Sequence, residues 1–168
     1  MIKKLINKIL IILRIKTKAN SRLPSNVKIC KNVSISENVI MYRTAPITIG
    51  EHTMIACNVI IHTSTHDYNN HPMWLTRIDR PIYIGKHVWI GAGAIILPGV
   101  KIEDYAVVGA GSIVTANVPK GAIVAGNPAR IIKFRNIDKI KNIQNIPDYP
   151  IGSSITKKSF LDKICKPI

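Results

Sequence analysis

Residues 84–119 read IGKHVW IGAGAI ILPGVK IEDYAV VGAGSI VTANVP, six consecutive hexads that align without a gap. The first position of each hexad is Ile or Val, and the fifth is Val, Ala or Ser. The first positions are Ile84, Ile90, Ile96, Ile102, Val108 and Val114, and the fifth positions are Val88, Ala94, Val100, Ala106, Ser112 and Val118. A six-residue period does not fit the apolar face of an α-helix, which recurs about every 3.6 residues.

The spacing of these apolar positions is that of an extended strand. Position five of one hexad and position one of the next are two residues apart, so their side chains point to the same side of a strand. Gly, Asn and Asp at positions two to four supply turns. Short strands joined by sharp turns at constant length predict a coil around a narrow core, with successive coils about 4.8 Å apart. The predicted fold class is therefore all-β.

Earlier copies of the repeat extend this prediction towards the N-terminus. They begin at Ile29, Ile35 and Met41, slip by two residues near Pro46, and resume at Ile49, Ile55 and Ile61. We therefore predict a β-helical domain over residues 27–135, interrupted by a protruding loop at residues 67–81. A long excursion from a regular coil usually carries function.

Position six lies between two inward positions, so its side chain must point outward. A row of exposed apolar side chains is unfavourable in water, and self-association would bury it. The position is filled by Met54, Ile60, His66, Trp89, Ile95, Lys101, Val107 and Ile113.

The net charge of +15 is concentrated at the two ends of the chain. Residues 1–31 carry nine basic and no acidic residues, residues 32–119 carry five basic and six acidic, and residues 120–168 carry ten basic and three acidic. Aromatic residues are only 5% of the chain, and no nucleic-acid-binding motif is present, so we expect no nucleic-acid partner.

The two flanks are predicted to be helical. Residues 1–16, MIKKLINKILIILRIK, place Ile and Leu on one helical face and Lys, Asn and Arg on the other. Such a helix would lie on an anionic membrane surface or cap the domain or a partner subunit. Residues 17–26 complete this N-terminal segment as a linker. Residues 136–168 are predicted to form a C-terminal helical or tail segment.

The cysteine spacing and the hydropathy of the chain favour a cytoplasmic protein. Any association with the inner face of the cytoplasmic membrane is expected to be peripheral. Cys30, Cys57 and Cys165 are widely spaced, which argues against a disulfide framework and a zinc site. No stretch approaches the roughly 20 apolar residues of a membrane span, and the N-terminus lacks a signal-peptide cleavage site.

The hexads, together with VVGAGSIVT and VAGNPARII, resemble the hexapeptide-repeat acyltransferases, most closely the galactoside and maltose O-acetyltransferase and polysaccharide O-acetyltransferase branch. The resemblance covers about residues 27–135. It implies a left-handed parallel β-helix with three hexads per turn and a homotrimer whose active sites lie between subunits. It also implies acetyl-CoA as the acyl donor, with no metal ion.

The same resemblance identifies a catalytic histidine. The run IACNVIIHTSTH matches the segment that leads into the family's catalytic histidine and places His66 in that role. Transfer of an acetyl group to a hydroxyl requires a base, and imidazole titrates near working pH. Asp67 is a candidate for orienting the imidazole, although a backbone carbonyl would serve equally well, and Asp67 would then cap a turn.

The resemblance also implies the residues that bind the substrates. The predicted coenzyme A contacts are Trp89, Ala92, Ala110, Thr115, Arg130 and Lys133. Candidates for acceptor contact are Tyr42, His71 and Trp74, while Arg77 and Arg80 are candidates for anionic groups. Two departures from the family pattern are Ala92, where Ser is frequent, and Ala116, where Lys is usual. Residues 41–46 also lack the acidic residues that hold a simple galactoside.

These observations predict an acetyl-CoA-dependent O-acetyltransferase that acts on a sugar hydroxyl in surface polysaccharide or lipopolysaccharide biosynthesis. The alternative within this class is an N-acetyltransferase of an amino sugar or nucleotide sugar, because a base serves an amine equally well. A more remote alternative is a metal enzyme of the γ-carbonic anhydrase type using His66 and His71. No third histidine occupies a matching outward position for it.

Overall fold

The computed structural model describes residues 16–17, 26–42 and 44–138. The chain divides into two units, residues 1–137 and 138–168, and every described residue except Asp138 belongs to the first. The strands are β1 (Lys16–Thr17), β2 (Val27–Ile29), β3 (Ser34–Ile35), β4 (Ile40–Tyr42), β5 (Ile47–Ile49), β6 (Met54–Ile55), β7 (Ile60–His62), β8 (Ser64–His66), β9 (Arg77–Asp79), β10 (Ile82–Ile84), β11 (Trp89–Ile90), β12 (Ile95–Ile96), β13 (Lys101–Ile102), β14 (Val107–Val108), β15 (Ile113–Val114), β16 (Ala122–Gly126) and β17 (Ala129–Phe134). A short 3₁₀ helix, η1, spans Met73–Leu75.

Each coil contributes one short strand to each of three sheets. Sheet A has the order β1-β3-β6-β11-β14-β16-β17, sheet B the order β4-β7-β12-β15, and sheet C the order β2-β5-β10-β13. Pairing within the coils is parallel, and Ile102 pairs with Ile84, which precedes it by 18 positions. Three hexads therefore make one coil, as expected. We call the turns after sheets C, A and B corner CA, corner AB and corner BC.

The inward positions predicted from the repeat form the core. Every first and fifth position between Ile84 and Val118 is at most 3% exposed, including Ser112, the one polar residue among them. Ile29 pairs with Ile49, which follows it by 20 positions rather than 18, so the predicted two-residue slip near Pro46 is present. Burial of each Ile or Val side chain contributes about 1.5–3 kcal/mol, and this row of inward side chains stabilises the coil.

The outward rows differ between the three sheets. On sheet B, the outward residues Ile40, Ile60, Ile95 and Ile113 are consecutive partners. On sheet A, the row is Ser34, Met54, Trp89, Val107 and Ile123. On sheet C, it is Lys28, Thr48, Tyr83 and Lys101. Two faces of the coil are therefore largely apolar and the third is polar.

The coil is interrupted by an antiparallel β-hairpin that leaves corner BC. Ile84 follows its partner Ile49 by 35 positions, so the insertion adds 17 residues to a coil of 18. Among the described strands, β8 and β9 of this hairpin pair only with each other. His66 therefore does not occupy position six of a coil. Its exposure was predicted correctly, but it results from the hairpin and not from the parity of the repeat.

The two ends of the described region extend sheet A. Lys16 and Thr17, which the sequence analysis assigned to a helix end and a linker, instead form β1, parallel to β3. The remainder of the predicted helix at residues 1–16 lies outside the described residues, as does the predicted C-terminal segment beyond Asp138. β17 returns antiparallel to β16. No helix among the described residues is long and apolar enough to cross a membrane.

Corner CA carries a stack of three aromatic rings. The rings of His52 and His87 lie 4.9 Å apart and nearly parallel, and Tyr105 stacks on the other face of His87 at 4.9 Å. All three residues have positive φ, a conformation that costs L-residues roughly 1–2 kcal/mol. The coil spacing brings the rings into contact, and stacking offsets part of this cost.

The stack perturbs the central histidine. Desolvation by its neighbours lowers the pKa of His87, the positive charge of His52 lowers it further, and Asp104 opposes both effects. The residue as a whole is exposed, but the two faces of its ring are covered. His87 therefore binds a proton less readily in the folded chain than in the unfolded chain. The contribution of His87 to the free energy of unfolding is fully present above about pH 6.5 and is lost as pH falls.

We therefore expect the melting temperature to fall between about pH 7.5 and pH 5.5, with a weaker dependence in His87→Asn. Asn is suitable because it tolerates the left-handed conformation of this corner. The measurement is the thermal unfolding midpoint as a function of pH. His71→Asn removes a histidine from the hairpin tip and should retain the wild-type dependence. An unchanged pH dependence in His87→Asn would contradict the interpretation.

Candidate active site

The hairpin presents a set of polar side chains on one face. Strand pairing places Ser64 opposite Asp79 and His66 opposite Arg77, and alternation along a strand puts these four side chains on the same side. Arg77 donates from Nε to Asp79 Oδ2 at 3.1 Å, and its Nη2 lies 3.0 Å from the same oxygen. The guanidinium beside His66 is therefore held by a carboxylate of its own strand.

The imidazole of His66 is oriented by the backbone. Its Nδ1 lies 2.8 Å from the carbonyl oxygen of Met73. Because a carbonyl oxygen only accepts hydrogen bonds, Nδ1 must carry the proton. In the neutral ring the lone pair is then on Nε2, and His66 is exposed in the single chain. This arrangement leaves a basic nitrogen available to an external donor.

Asp67 caps the turn at the hairpin tip. Its Oδ1 accepts from the backbone N–H of Asn69 at 3.0 Å, and its Oδ2 accepts from Nδ2 of Asn70 at 2.6 Å. The structure therefore does not bring the Asp67 carboxylate to the imidazole as the predicted orienting group. Instead, a backbone carbonyl binds the ring and Asp67 caps a turn. These are the two alternative roles that the sequence left open.

The tip beyond Asp67 is strongly exposed. Trp74, within η1, is 73% exposed, and its neighbours Met73 and Leu75 are also exposed. His71 is exposed and precedes Pro72. The predicted acceptor residues His71 and Trp74 thus lie on the same tip as Met73, whose carbonyl contacts His66.

The base of the hairpin contains a histidine that the sequence analysis did not single out. His62 is half-buried, its ring lies 4.5 Å from the ring of Tyr42, and its Nδ1 accepts from the backbone N–H of Ser64 at 3.3 Å. Tyr42 and His62 are direct partners in sheet B, where the chain enters corner BC. Tyr42 and His62 each occupy position two of a hexad, in the hexads that begin at Met41 and Ile61. With three hexads per coil, these two positions are expected to pair.

A second group of predicted site residues lies at corner AB. Ala92 and Ala110 occupy the same place in successive coils, and the N–H of Gly111 donates to the carbonyl of Ala92 at 2.8 Å. The coils approach so closely here that a Cβ on Gly91 would lie 2.6 Å from the nitrogen of Ala110. Among the described residues, the N–H groups of Ala92 and Ala110 have no acceptor.

From Trp89, the outward row of sheet A continues towards the edge strand β17. Trp89 pairs with Val107, Val107 with Ile123, and Ile123 with Lys133. Three strand spacings separate Trp89 from Lys133, a distance of about 14 Å. Arg130 lies on the same edge strand as Lys133, and both side chains are exposed. The row thus runs from an aromatic ring that is 52% exposed to a basic strand.

The predicted site residues of one chain fall into two groups. Thr115 follows β15 into corner BC, the corner from which the hairpin with His66 leaves. Trp89, Ala92 and Ala110 lie on sheet A and at corner AB. Sheet B, with its outward row of isoleucines, separates the two corners, so a single coil does not gather all these residues in one place.

The described residues contain no group of three or more His, Cys, Asp and Glu side chains suited to a metal ion.

Arg80 extends along corner BC, where its side chain lies 3.1 Å from the place that a Cβ on Gly99 would take. Its backbone N–H donates to the carbonyl oxygen of Thr63 at 2.8 Å. Arg80 therefore helps to close the insertion against the coil.

Comparisons with a family model and with curated relatives agree on one family. The family model described as bacterial transferase hexapeptide (six repeats) matches residues 81–116. The galactoside O-acetyltransferase of Escherichia coli (strain K12) is 37% identical over 136 residues, covering 78% of this chain and 64% of that protein. The putative lipopolysaccharide biosynthesis O-acetyl transferase WbbJ of the same organism is 34% identical over 115 residues, covering 62% of this chain and 59% of the relative. The match thus spans less than two thirds of either curated relative.

A solved structure supports the same grouping. The hexapeptide-repeat containing acetyltransferase VCA0836 from Vibrio cholerae has a TM-score of 0.66 and 34% identity, covering 72% of this chain and 70% of its own. That protein has also been solved in complex with acetyl co enzyme A, with 29% identity, 76% of each chain covered and a TM-score of 0.63. The left-handed winding expected from the resemblance is confirmed. The chain belongs to the hexapeptide-repeat family of bacterial transferases.

Proposed function

We propose that the protein is an acetyl-CoA-dependent O-acetyltransferase acting on a sugar hydroxyl, with His66 as the general base. The observation that carries the proposal is the hydrogen bond from Nδ1 of His66 to the Met73 carbonyl, which leaves the Nε2 lone pair exposed. The two Escherichia coli relatives are named as O-acetyl transferases, one of them for lipopolysaccharide biosynthesis. These names support a role in surface polysaccharide or lipopolysaccharide biosynthesis.

The proposed reaction is direct transfer. His66 Nε2 accepts the proton of the acceptor hydroxyl as its oxygen attacks the carbonyl carbon of the thioester. The carbon–sulfur bond then breaks, and the imidazolium returns the proton to the departing thiolate. The N–H groups of Ala92 and Ala110 at corner AB, which have no acceptor within the described part of the chain, are suited to stabilise the charge on the oxygen of the intermediate.

The proposed coenzyme A site follows the outward row of sheet A. Trp89, Ala92 and Ala110 would flank the pantetheine arm, and Thr115 would contact it from corner BC. Arg130 and Lys133 would meet the phosphates, since basic side chains pair with phosphate oxygens. The row supports this order because it leads from an aromatic ring to a basic strand about 14 Å away.

The proposed acceptor site lies between the hairpin tip and its base. Trp74 offers an aromatic face and His71 a polar group, while Tyr42 lies at the base beside His62. Exposed aromatic rings beside hydrogen-bonding groups suit a saccharide, which has apolar faces and hydroxyl edges. The inferred acceptor is a sugar unit of a surface polysaccharide or lipopolysaccharide.

We further propose a homotrimer with active sites between subunits. Two largely apolar faces of the coil would be buried by association, while the polar face of sheet C would remain in water. The separation of His66 from Trp89 within one chain supports the same arrangement, since a neighbouring copy would supply the missing group.

The first test is acetyl-CoA turnover with a panel of sugars, nucleotide sugars, amino sugars and polysaccharide, followed through release of free thiol. The wild type should acetylate a hydroxyl acceptor, and His66→Ala should lose about 10²-fold or more in kcat because the base is absent. His52→Asn is the matched control, since it removes an exposed histidine at a different corner, and it should retain activity.

Three outcomes of this assay would count against the proposal. Full activity in His66→Ala would remove the base assignment. Exclusive use of amino sugars would favour the N-acetyltransferase alternative. Absence of coenzyme A binding would contradict the transferase activity itself.

The second test concerns assembly. Ile95→Glu places a charge in the outward isoleucine row of sheet B, and burying an unpaired charge costs several kcal/mol, so the trimer should dissociate. Thr48→Glu places the same charge on the polar face of sheet C and should leave the trimer intact. Sedimentation velocity measures both. A monomeric wild type, or an Ile95→Glu trimer, would contradict the assignment.

We also propose a cytoplasmic location with peripheral membrane association through residues 1–16. The full chain should co-sediment with vesicles that contain anionic lipid. Changing Lys3, Lys4, Lys8 and Arg14 to Gln should weaken this binding by about 1 kcal/mol per charge. The matched control changes Lys157, Lys158, Lys163 and Lys166 to Gln and should bind as the wild type does. Equal loss in both variants would assign the effect to net charge alone.

A further inference from the structure

We infer that Thr76 is a positioning residue that holds the imidazole of His66 through the carbonyl of Met73. Thr76 ends η1 and is half-buried. Its backbone N–H donates to Met73 O at 3.0 Å, and its hydroxyl Oγ1 lies 2.8 Å from the same oxygen. The carbonyl that accepts the hydrogen bond from His66 Nδ1 is thus contacted by two groups of one residue.

The hydroxyl of Thr76 also ties the tip to the hairpin strand. Oγ1 lies 3.1 Å from the carbonyl oxygen of Asp67, the residue after His66, while the backbone N–H of Asp67 donates to the carbonyl of Thr76 at 2.9 Å. A hydroxyl has one proton, so it serves the carbonyl of Met73 or that of Asp67 at any one time. The first alternative fixes the Met73 carbonyl within the tip, and the second fastens the end of η1 to the strand that bears His66.

The contact matters because the tautomer of His66 depends on it. Nδ1 keeps its proton only while a good acceptor is in place, and the other nitrogen then stays free to act as a base. Within the described residues, the acceptor for Nδ1 is a single carbonyl at an exposed tip. An unrestrained carbonyl there would rotate, and the ring would lose both its orientation and its preferred tautomer.

The loss of one neutral hydrogen bond shifts an equilibrium by about two- to tenfold. We therefore expect Thr76→Val, which keeps the branched shape and the backbone N–H, to reduce the Nδ1–H to Nε2–H tautomer ratio of His66 by this factor. The kcat should fall by a similar factor, and the KM for acetyl-CoA should stay unchanged because the Thr76 hydroxyl contacts only backbone carbonyls within the hairpin among the described residues. The inference about kcat rests on the proposed function.

The experiment is nitrogen-15 NMR of the histidine rings in the full chain at alkaline pH, together with steady-state kinetics. Thr76→Ser retains the hydroxyl and should restore the wild-type ratio and kcat. Thr65→Val makes the same chemical change on the opposite face of the hairpin and should behave as the wild type does. Circular dichroism checks folding, and Thr76→Ala, which also removes the hydroxyl, replaces Thr76→Val if that variant does not fold.

The outcomes separate this inference from the proposed function. A wild-type tautomer ratio in Thr76→Val or Thr76→Ala would overturn the inference, as would a predominant Nε2–H tautomer in the wild type. A lower kcat with an unchanged ratio would also overturn it, because Thr76 would then act by another route. If the ratio shifts as expected while His66→Ala remains fully active, the positioning contact stands and the catalytic assignment fails.

Discussion

The stacking of successive coils in an 18-residue register is the constraint on which the rest of the structure depends. Ile84 can lie above Ile49 and below Ile102 only if each coil returns to the same place. Parallel backbone hydrogen bonds set the separation of the coils, and the inward Ile and Val side chains fill the space between the three sheets. Every outward row follows from this register, because a residue at position six has another position-six residue directly above it. The apolar and polar faces are thus properties of the repeat rather than of single residues.

The same register explains where the hairpin lies. An insertion inside a strand would shift every later side chain between core and solvent, whereas an insertion at a corner leaves both adjoining strands in place. The 17 extra residues leave corner BC after β7 and return in register at β10. Once outside the coil, the hairpin must satisfy its own backbone, which it does by pairing β8 with β9 and by the turn that Asp67 caps. The candidate base therefore lies on the one inserted element of the described coil, where the core imposes no identity on side chains.

The hexad pattern predicted the core and the outward rows almost completely, because burial in this fold depends only on position within the repeat. At His66 it predicted the exposure but not its cause, since parity along a coil no longer applies after the chain leaves it at Thr63. The carbonyl of Met73 and the hydroxyl of Thr76 could not be predicted either, because they depend on the conformation of an irregular tip. The ring stacking of His52, His87 and Tyr105 was not predicted, for a different reason. The three residues were recognisable as turn residues, but their rings meet only through the coil spacing.

The position of sheet B relates the fold to the proposed chemistry. Its outward isoleucines separate the corner that bears His66 from the corner that bears Ala92 and Ala110. A single coil cannot bend to join the two corners, because the register holds all three sheets rigidly together. On our proposal, the hairpin of one copy faces corner AB of another, and the apolar faces set the distance between base and thioester. The catalytic geometry would then be determined by the assembly, while the tip contacts of Met73 and Thr76 would determine only the state of the imidazole. Packing between copies and orientation of the base would accordingly be independent requirements for turnover.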